Sequence, residues 1–171
     1  MPADIRALLE ETGALLTGHF RLSSGLHSPN YVQCARLLEH PRNAKALGEA
    51  LAKRIEDLAK RIEKLDKIVA PALGGVIIGY TVAEALGVPF VFTERKDGAM
   101  TLRRGFRLND GERVVIVEDV VTTGKSTRET IAVAEAAGAT VVGAAGIINR
   151  GGDEDLGVPF TALATVSFPT W

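Results

Sequence analysis

Two adjacent acids, Glu118 and Asp119, stand between an apolar run at residues 114–117 and the turn Thr122-Thr123-Gly124-Lys125-Ser126-Thr127. Apolar positions at Ile131, Val133 and Ala134 then mark a helix, so the turn joins a buried strand to a helix N-terminus. Such a turn points backbone N–H groups at an anion, Gly124 permits a left-handed or closely approached backbone, and four hydroxyls add donors. A phosphate suits it. Acids beside a phosphate would repel it unless they serve another part of the same ligand, and two neighbouring carboxylates can accept from the 2- and 3-hydroxyls of a sugar. The segment reads as a ribose 5-phosphate site. The bland alternative is a capped helix end with solvated acids, which the apolar strand in front disfavours.

Two better-known phosphate motifs fail on spacing. Gly124-Lys125-Ser126 resembles the end of a P-loop, but Asp119 stands where that motif needs its first glycine. Gly74-Gly75-Val76-Ile77-Ile78-Gly79 resembles a dinucleotide fingerprint, but Val76 occupies a required glycine position. An NTPase and a dinucleotide-dependent dehydrogenase are both disfavoured.

The elements that must position these residues alternate. Residues 4–16 pattern as a helix capped by Asp4, 23–29 as a Ser/Gly/Pro loop, and 41–66 as a long helix containing a near-repeat of seven residues. Two heptads are too few for a coiled coil and mark an ordinary surface helix. Strands are expected at 67–70, 88–93, 114–118, 140–148 and 160–166, and helices at 76–86 and 126–137. This alternation predicts an α/β fold with a mostly parallel central sheet flanked by helices, whose ligand lies beyond the carboxyl ends of the strands. The whole chain, 1–171, reads as a single domain, with 1–40 appended to a core at 41–171.

Charge and composition narrow the partners. Twenty basic residues against 21 acidic ones leave a formal charge of −1, so no global field steers the chain to nucleic acid or an anionic membrane. No apolar run is long enough to span a bilayer, and a lone cysteine, Cys34, fits a reducing cytoplasm better than a disulfide scaffold. Cys34 reads as a small buried hydrophobe. His19, His27 and His40 show no metal-ligand spacing with it or with each other. Tyr31 suits either a base pocket or the core.

The strand, acid pair and hydroxyl-rich loop resemble the signature of the type I phosphoribosyltransferases, and more narrowly the orotate phosphoribosyltransferases. The resemblance extends along most of the chain. Phe20 to Tyr31 is similar to that family's N-terminal hood, Ala70-Pro71-Ala72-Leu73-Gly74-Gly75 to its pyrophosphate loop, Glu94-Arg95-Lys96 to the base of its lid, and Asn149-Arg150 to its base-recognition segment. The family's fold, with a small N-terminal hood on the core, is implied with it. So is a reaction: transfer of ribose 5-phosphate from 5-phosphoribosyl 1-pyrophosphate (PRPP) to orotate, giving orotidine 5-monophosphate and pyrophosphate, with Mg2+ bound mainly through PRPP.

Roles follow at the matching positions. The resemblance implies PRPP binding by Arg95, Lys96, Glu118, Asp119, Val120, Val121, Thr122, Thr123, Gly124, Lys125 and Ser126, and orotate binding by Thr122 and Arg150. It implies a homodimer whose lid is shared between subunits, and a cis peptide bond at Ala72-Leu73. This sequence departs from the commoner bacterial pattern, which has lysines at the positions of Ser23 and Gly74 and a lysine and histidine in the lid. Here residues 94–107 carry five basic and two acidic residues and no lid histidine. Arg103 or Arg104 is therefore expected to replace the lid lysine, with Asp119 as the other catalytic candidate. Turnover of another base, such as a purine, and PRPP sensing without turnover are the alternatives; the second usually needs a DNA-binding segment, which is not evident here.

Overall fold

The computed structural model describes residues 4–22, 24–60, 64–151 and 155–171. Helix α1 (Ile5–Glu11) leads into strands β1 (Leu15–Arg21) and β2 (His27–Val32), followed by α2 (Cys34–Leu38) and α3 (Pro41–Leu58). Then come β3 (Lys67–Pro71), α4 (Gly75–Leu86), β4 (Phe90–Lys96), β5 (Ala99–Leu102), β6 (Arg113–Val121), α5 (Lys125–Ala136), β7 (Thr140–Asn149) and β8 (Phe160–Thr165). β1 and β2 form a separate antiparallel ribbon, and the rest build one sheet in the order β5-β4-β3-β6-β7-β8. Neighbours in that sheet run parallel except for β5, which returns antiparallel along β4.

The central strand explains the two-sided burial. Val115 and Val117 of β6 pack into a core with Leu47, Leu51 and Ile55 of α3 and Ile78 and Val82 of α4. Val114 and Ile116 point the other way, into a core with Ile131 and Ala134 of α5. A strand with helices on both faces must be apolar at every position, and residues 114–117 are. Successive strands are added outward in opposite directions from β3 and β6, so the order reverses between them. Ligands in sheets of this kind bind at that reversal, beyond the carboxyl ends.

The mostly parallel sheet flanked by helices is as expected, but several boundaries differ. The first helix stops at Glu11: Gly13 takes a left-handed turn (φ 71°), and Leu15 and Leu16 belong to β1. The expected 23–29 loop is shorter at its far end, since β2 begins at His27, and Pro29 is tolerated because a two-stranded ribbon leaves a free edge. Position 23, where Ser23 departs from the family lysine, lies outside the described residues. The long helix ends at Leu58 rather than 66, and residues 61–63 are likewise outside the description. β6 continues past Glu118 to Val121, because β7 offers partners as far as Asn149. α2 and β5 carry too little periodic pattern to be read from sequence. Asp97-Gly98 does carry a signal: φ values of 54° and 81° between paired Lys96 and Ala99 make the two-residue hairpin turn this dipeptide favours.

Candidate active site

Glu118 and Asp119 sit inside the last turn of strand pairing, opposite Gly146 and before Val120 opposite Ile148. Glu118 is only 8% exposed. Its Oε1 accepts from the Asp119 N–H at 3.2 Å, and Asp119 Oδ1 accepts from the Val120 N–H at 2.7 Å. Burial, and then the Asp119 charge, push the Glu118 carboxyl well above the usual carboxylate range. Behind them, Cys34 on α2 is buried, and burial together with the fields of Asp119 and Glu118 drives its thiol far up.

The loop after β3 closes over this pair. The Ala72-Leu73 bond is cis, and the Ala72 N–H donates to the Thr93 carbonyl at 2.7 Å, tying the loop to β4. A Cβ on Gly74 would stand 2.8 Å from Asp119 Oδ2; one on Gly75 would stand 2.9 Å from the Val117 carbonyl oxygen and 3.3 Å from Glu118 Oε1. The two glycines let the 72–75 loop and the acid pair share one small space.

The hydroxyl-rich turn leaves β6 and enters α5. Gly124 takes φ 79° at the helix N-cap, with Leu156 packed so closely that a Cβ would meet its Cδ2 at 2.6 Å. Thr122, Thr123 and Lys125 are exposed, Ser126 is half-buried, and Thr127 is buried. The Lys125 N–H reaches Thr123 Oγ1 at 3.4 Å. The exposed hydroxyls of Thr122 and Thr123 thus stand at the N-terminal end of α5, where first-turn amides lack helical partners, an arrangement able to take an anion.

Arg150 lies at the adjoining strand end. Its N–H donates to the Val121 carbonyl at 2.8 Å, and its guanidinium carbon lies over the Phe168 ring, 4.9 Å from the centroid. Partial burial lowers its pKa, with Tyr31 acting in the opposite sense. Tyr31 is exposed rather than a core aromatic, on the ribbon strand β2 with Phe20 5.8 Å away. Thr122 is joined to this corner through Gly151, whose Cβ would overlap the Thr122 carbonyl oxygen.

The basic residues of the β4–β5 hairpin are differently placed. Arg95 makes a two-pronged pair with Glu129 of α5, at 2.7 and 2.8 Å. Arg104 donates to Glu94 at 2.6 and 3.1 Å, and Arg103 lies 3.6 Å from the same carboxylate. Lys96 flanks the hairpin turn and is exposed. The structure therefore brings Glu118, Asp119, the 122–126 turn and Arg150 to one end of the sheet, while Arg95, Arg103 and Arg104 rest on carboxylates. Sequence reading did not foresee Glu94 and Glu129 as partners, nor Phe168 and Gly151. An acid on a different element gives no spacing signal, and Gly151 follows an arginine as any loop glycine does.

A surface groove of about 830 Å³ lies elsewhere. It runs along α3, lined by Glu49, Lys53, Glu56, Asp57, Ala85 and Leu163. Ala85 is ten residues along α4 from Gly75, about 15 Å of helix. Mixed surface charge lines it, and the convergent acids, hydroxyls and arginine stand at the other end.

Comparison with known proteins agrees with the geometry. Residues 33–157 match the family model of the phosphoribosyl transferase domain. Orotate phosphoribosyltransferase of Nitratiruptor sp. is 52% identical over 148 residues, 86% of this chain and 72% of that protein. The Thermus thermophilus enzyme of the same name is 48% identical over 170 residues, covering 98% and 90%. Among solved structures, orotate phosphoribosyltransferase from Aeropyrum pernix superposes with a TM-score of 0.78 at 30% identity, covering 94% of this chain and 92% of that one. With its acid pair, glycine loop and hydroxyl-rich turn meeting at the sheet reversal, this chain belongs to the phosphoribosyl transferase domain family, in its orotate phosphoribosyltransferase branch.

Proposed function

We propose that the chain transfers the 5-phosphoribosyl group of PRPP to N1 of orotate, releasing pyrophosphate and forming orotidine 5-monophosphate. The observation that carries this reading is the meeting of Glu118-Asp119, the glycines at 74–75, the 122–126 turn and Arg150 at one sheet end. Glu118 and Asp119 accept from the ribose hydroxyls. Residues 122–126 hold the 5-phosphate through amides and hydroxyls, with Val120 and Val121 fixing the strand from which the turn springs. Arg150 offers a planar fork to the orotate carboxylate, beside Thr122.

As orotate N1 bonds to C1 of the ribose, the C1–O bond to pyrophosphate breaks, that electron pair leaves with the pyrophosphate, and the N1 proton passes to the departing pyrophosphate or to water. Positive charge grows on the sugar and negative charge on the leaving group. Arg95, Lys96, Arg103 and Arg104 stabilise the latter, which requires the arginines to exchange Glu129 and Glu94 for phosphate oxygens. Asp119 keeps negative charge near the sugar. Positioning and electrostatics supply the acceleration.

Two neighbouring acids suit Mg2+, an ion that commonly takes one or two carboxylates and completes its shell with substrate phosphates and water. Glu118 and Asp119 would help to hold it, with PRPP supplying most of the oxygens; when bound, it neutralises pyrophosphate charge.

A homodimer is part of the proposal. Leu73, Ile77 and Tyr80, exposed by 85, 47 and 62%, line one side of α4 and its entry, next to the site. An apolar stripe of this kind suits a second copy, whose lid would then reach across. Among the described residues no helix is long and apolar enough to cross a membrane, and we assign the reaction to the cytoplasm.

A spectrophotometric assay with PRPP, Mg2+ and orotate, uracil or hypoxanthine tests the reading. Turnover restricted to orotate is expected. Turnover of only a base without a carboxylate would overturn the acceptor assignment, and tight PRPP binding without product would indicate a sensor.

A further inference from the structure

We propose that Phe168 is a positioning residue for the base site, holding the Arg150 guanidinium ready for the acceptor's carboxylate. The inference rests on the proposed role of Arg150. The Arg150 backbone is fixed by its bond to Val121, and Gly151, which follows it, is pressed against Thr122 and donates to Asn149 Oδ1 at 3.1 Å. Beyond its Cα the side chain still has several free torsions, and a guanidinium must be held in plane to grip a carboxylate with two N–H groups. Phe168 supplies a surface for that. Its ring lies 4.9 Å from the guanidinium carbon. A ring covers the face of the guanidinium and leaves its in-plane N–H donors free, whereas an acid partner would occupy the donors the substrate needs.

The segment carrying Phe168 is itself anchored at both ends. The Val166 N–H donates to the Asn149 carbonyl at 2.9 Å, continuing the β7–β8 ladder. Five residues on, Trp171 exchanges two backbone bonds with His27 of β2, at 2.7 and 3.1 Å, and its ring lies against His19 and His27. Residues 166–171 thus strap the sheet edge to the ribbon that carries Tyr31, and Phe168 sits within the strap. Holding the arginine this way couples base recognition to docking of the ribbon.

The test compares F168L, F168Y, R150A and the F168L/R150A double variant with the parent chain in steady-state assays varying orotate and PRPP separately. Loss of the ring is expected to raise KM for orotate about tenfold, the scale of a partly desolvated cation–ring contact, with kcat and KM for PRPP changed less than about twofold. F168Y should restore the parent value. In the R150A background F168L should add nothing. An orotate KM unchanged in F168L, or additive effects in the double variant, would overturn the inference. A parent chain that binds PRPP but shows no orotate turnover would instead count against the function above. In that event the ring-current shift of the Arg150 Nε–H resonance, present in the parent and lost in F168L, decides whether Phe168 holds the guanidinium, since it needs no substrate.

Discussion

One carboxylate, Glu94, holds both Arg103 and Arg104: it accepts from Arg104 at 2.6 and 3.1 Å and lies 3.6 Å from Arg103. Arg104 adopts φ 62° to reach it and lies 5.9 Å from the Phe92 ring centre. In this arrangement the two arginines, just past β5, are parked on a carboxylate of the neighbouring strand β4, and any use in catalysis requires their release.

Replacing both arginines separates catalysis from stability. Exposed ion pairs contribute little to folding, so the R103A/R104A double variant should melt within about 3 °C of the parent. Its kcat should fall on the order of 100-fold, the scale of a lost charge-stabilising donor. Unchanged turnover alongside calorimetry would remove both from the mechanism.

If Glu118 holds the ribose hydroxyls as proposed, its carboxyl should set a pH dependence of binding. Its raised pKa means that the folded chain keeps this proton longer than the unfolded one. The group's contribution to stability is therefore full below the ordinary carboxyl value and is lost as pH rises through the raised folded value. Ribose hydroxyls donate to the charged form and favour it, so PRPP binding should release protons and tighten as pH rises across the same window. Calorimetric titration in buffers of different ionisation enthalpy measures that release, and E118Q should abolish it.

Two glycine substitutions should fail for different reasons. In G75A the new methyl meets the Val117 carbonyl oxygen at 2.9 Å and the Ala70 Cβ at 3.0 Å, both held in the sheet, so a cost of ~1–3 kcal/mol and a lower melting temperature are expected. In G151A the methyl overlaps the backbone carbonyl of Thr122, so the turn at 122 and the backbone at 149–151 must move apart at the site itself. There the fold should survive while KM for both PRPP and orotate rises at least about tenfold, since ~1.4 kcal/mol of misplacement suffices. Melting curves and the two-substrate assay distinguish these outcomes.

Cys34 should be silent toward thiol reagents in the folded protein. It is buried, and both burial and the nearby carboxylates disfavour its thiolate, the reactive form. Ellman's reagent should detect it only after unfolding, and rapid native reaction would place it outside the core described above.

Local pattern made some of this legible in the amino-acid order. The apolar run before Glu118 could only be a strand covered on both faces, and the glycine and hydroxyls after it could only be a turn into a helix. The ribbon was harder. His27 to Val32 mixes Pro, Asn and Ser with two apolar residues, and it is strand because β1 pairs with it, which no local propensity reports. The parking of Arg95 on Glu129 spans 34 positions and depends on α5 packing beside β4. Phe168 was invisible as a site residue for the same reason: it meets Arg150 only after β8 has been laid beside β7.

The pairs Arg95–Glu129 and Glu94–Arg104 also bear on how the protein responds to salt. If leaving pyrophosphate displaces carboxylates rather than water from these arginines, each new ion pair replaces an old one and the gain in screened Coulomb energy is a difference, not a sum. PRPP affinity should then weaken with ionic strength less steeply than the number of arginines touching it would suggest. A fully ionised pyrophosphate can win that exchange where a singly charged anion cannot, which makes the acids beside the cations a filter on anion valence.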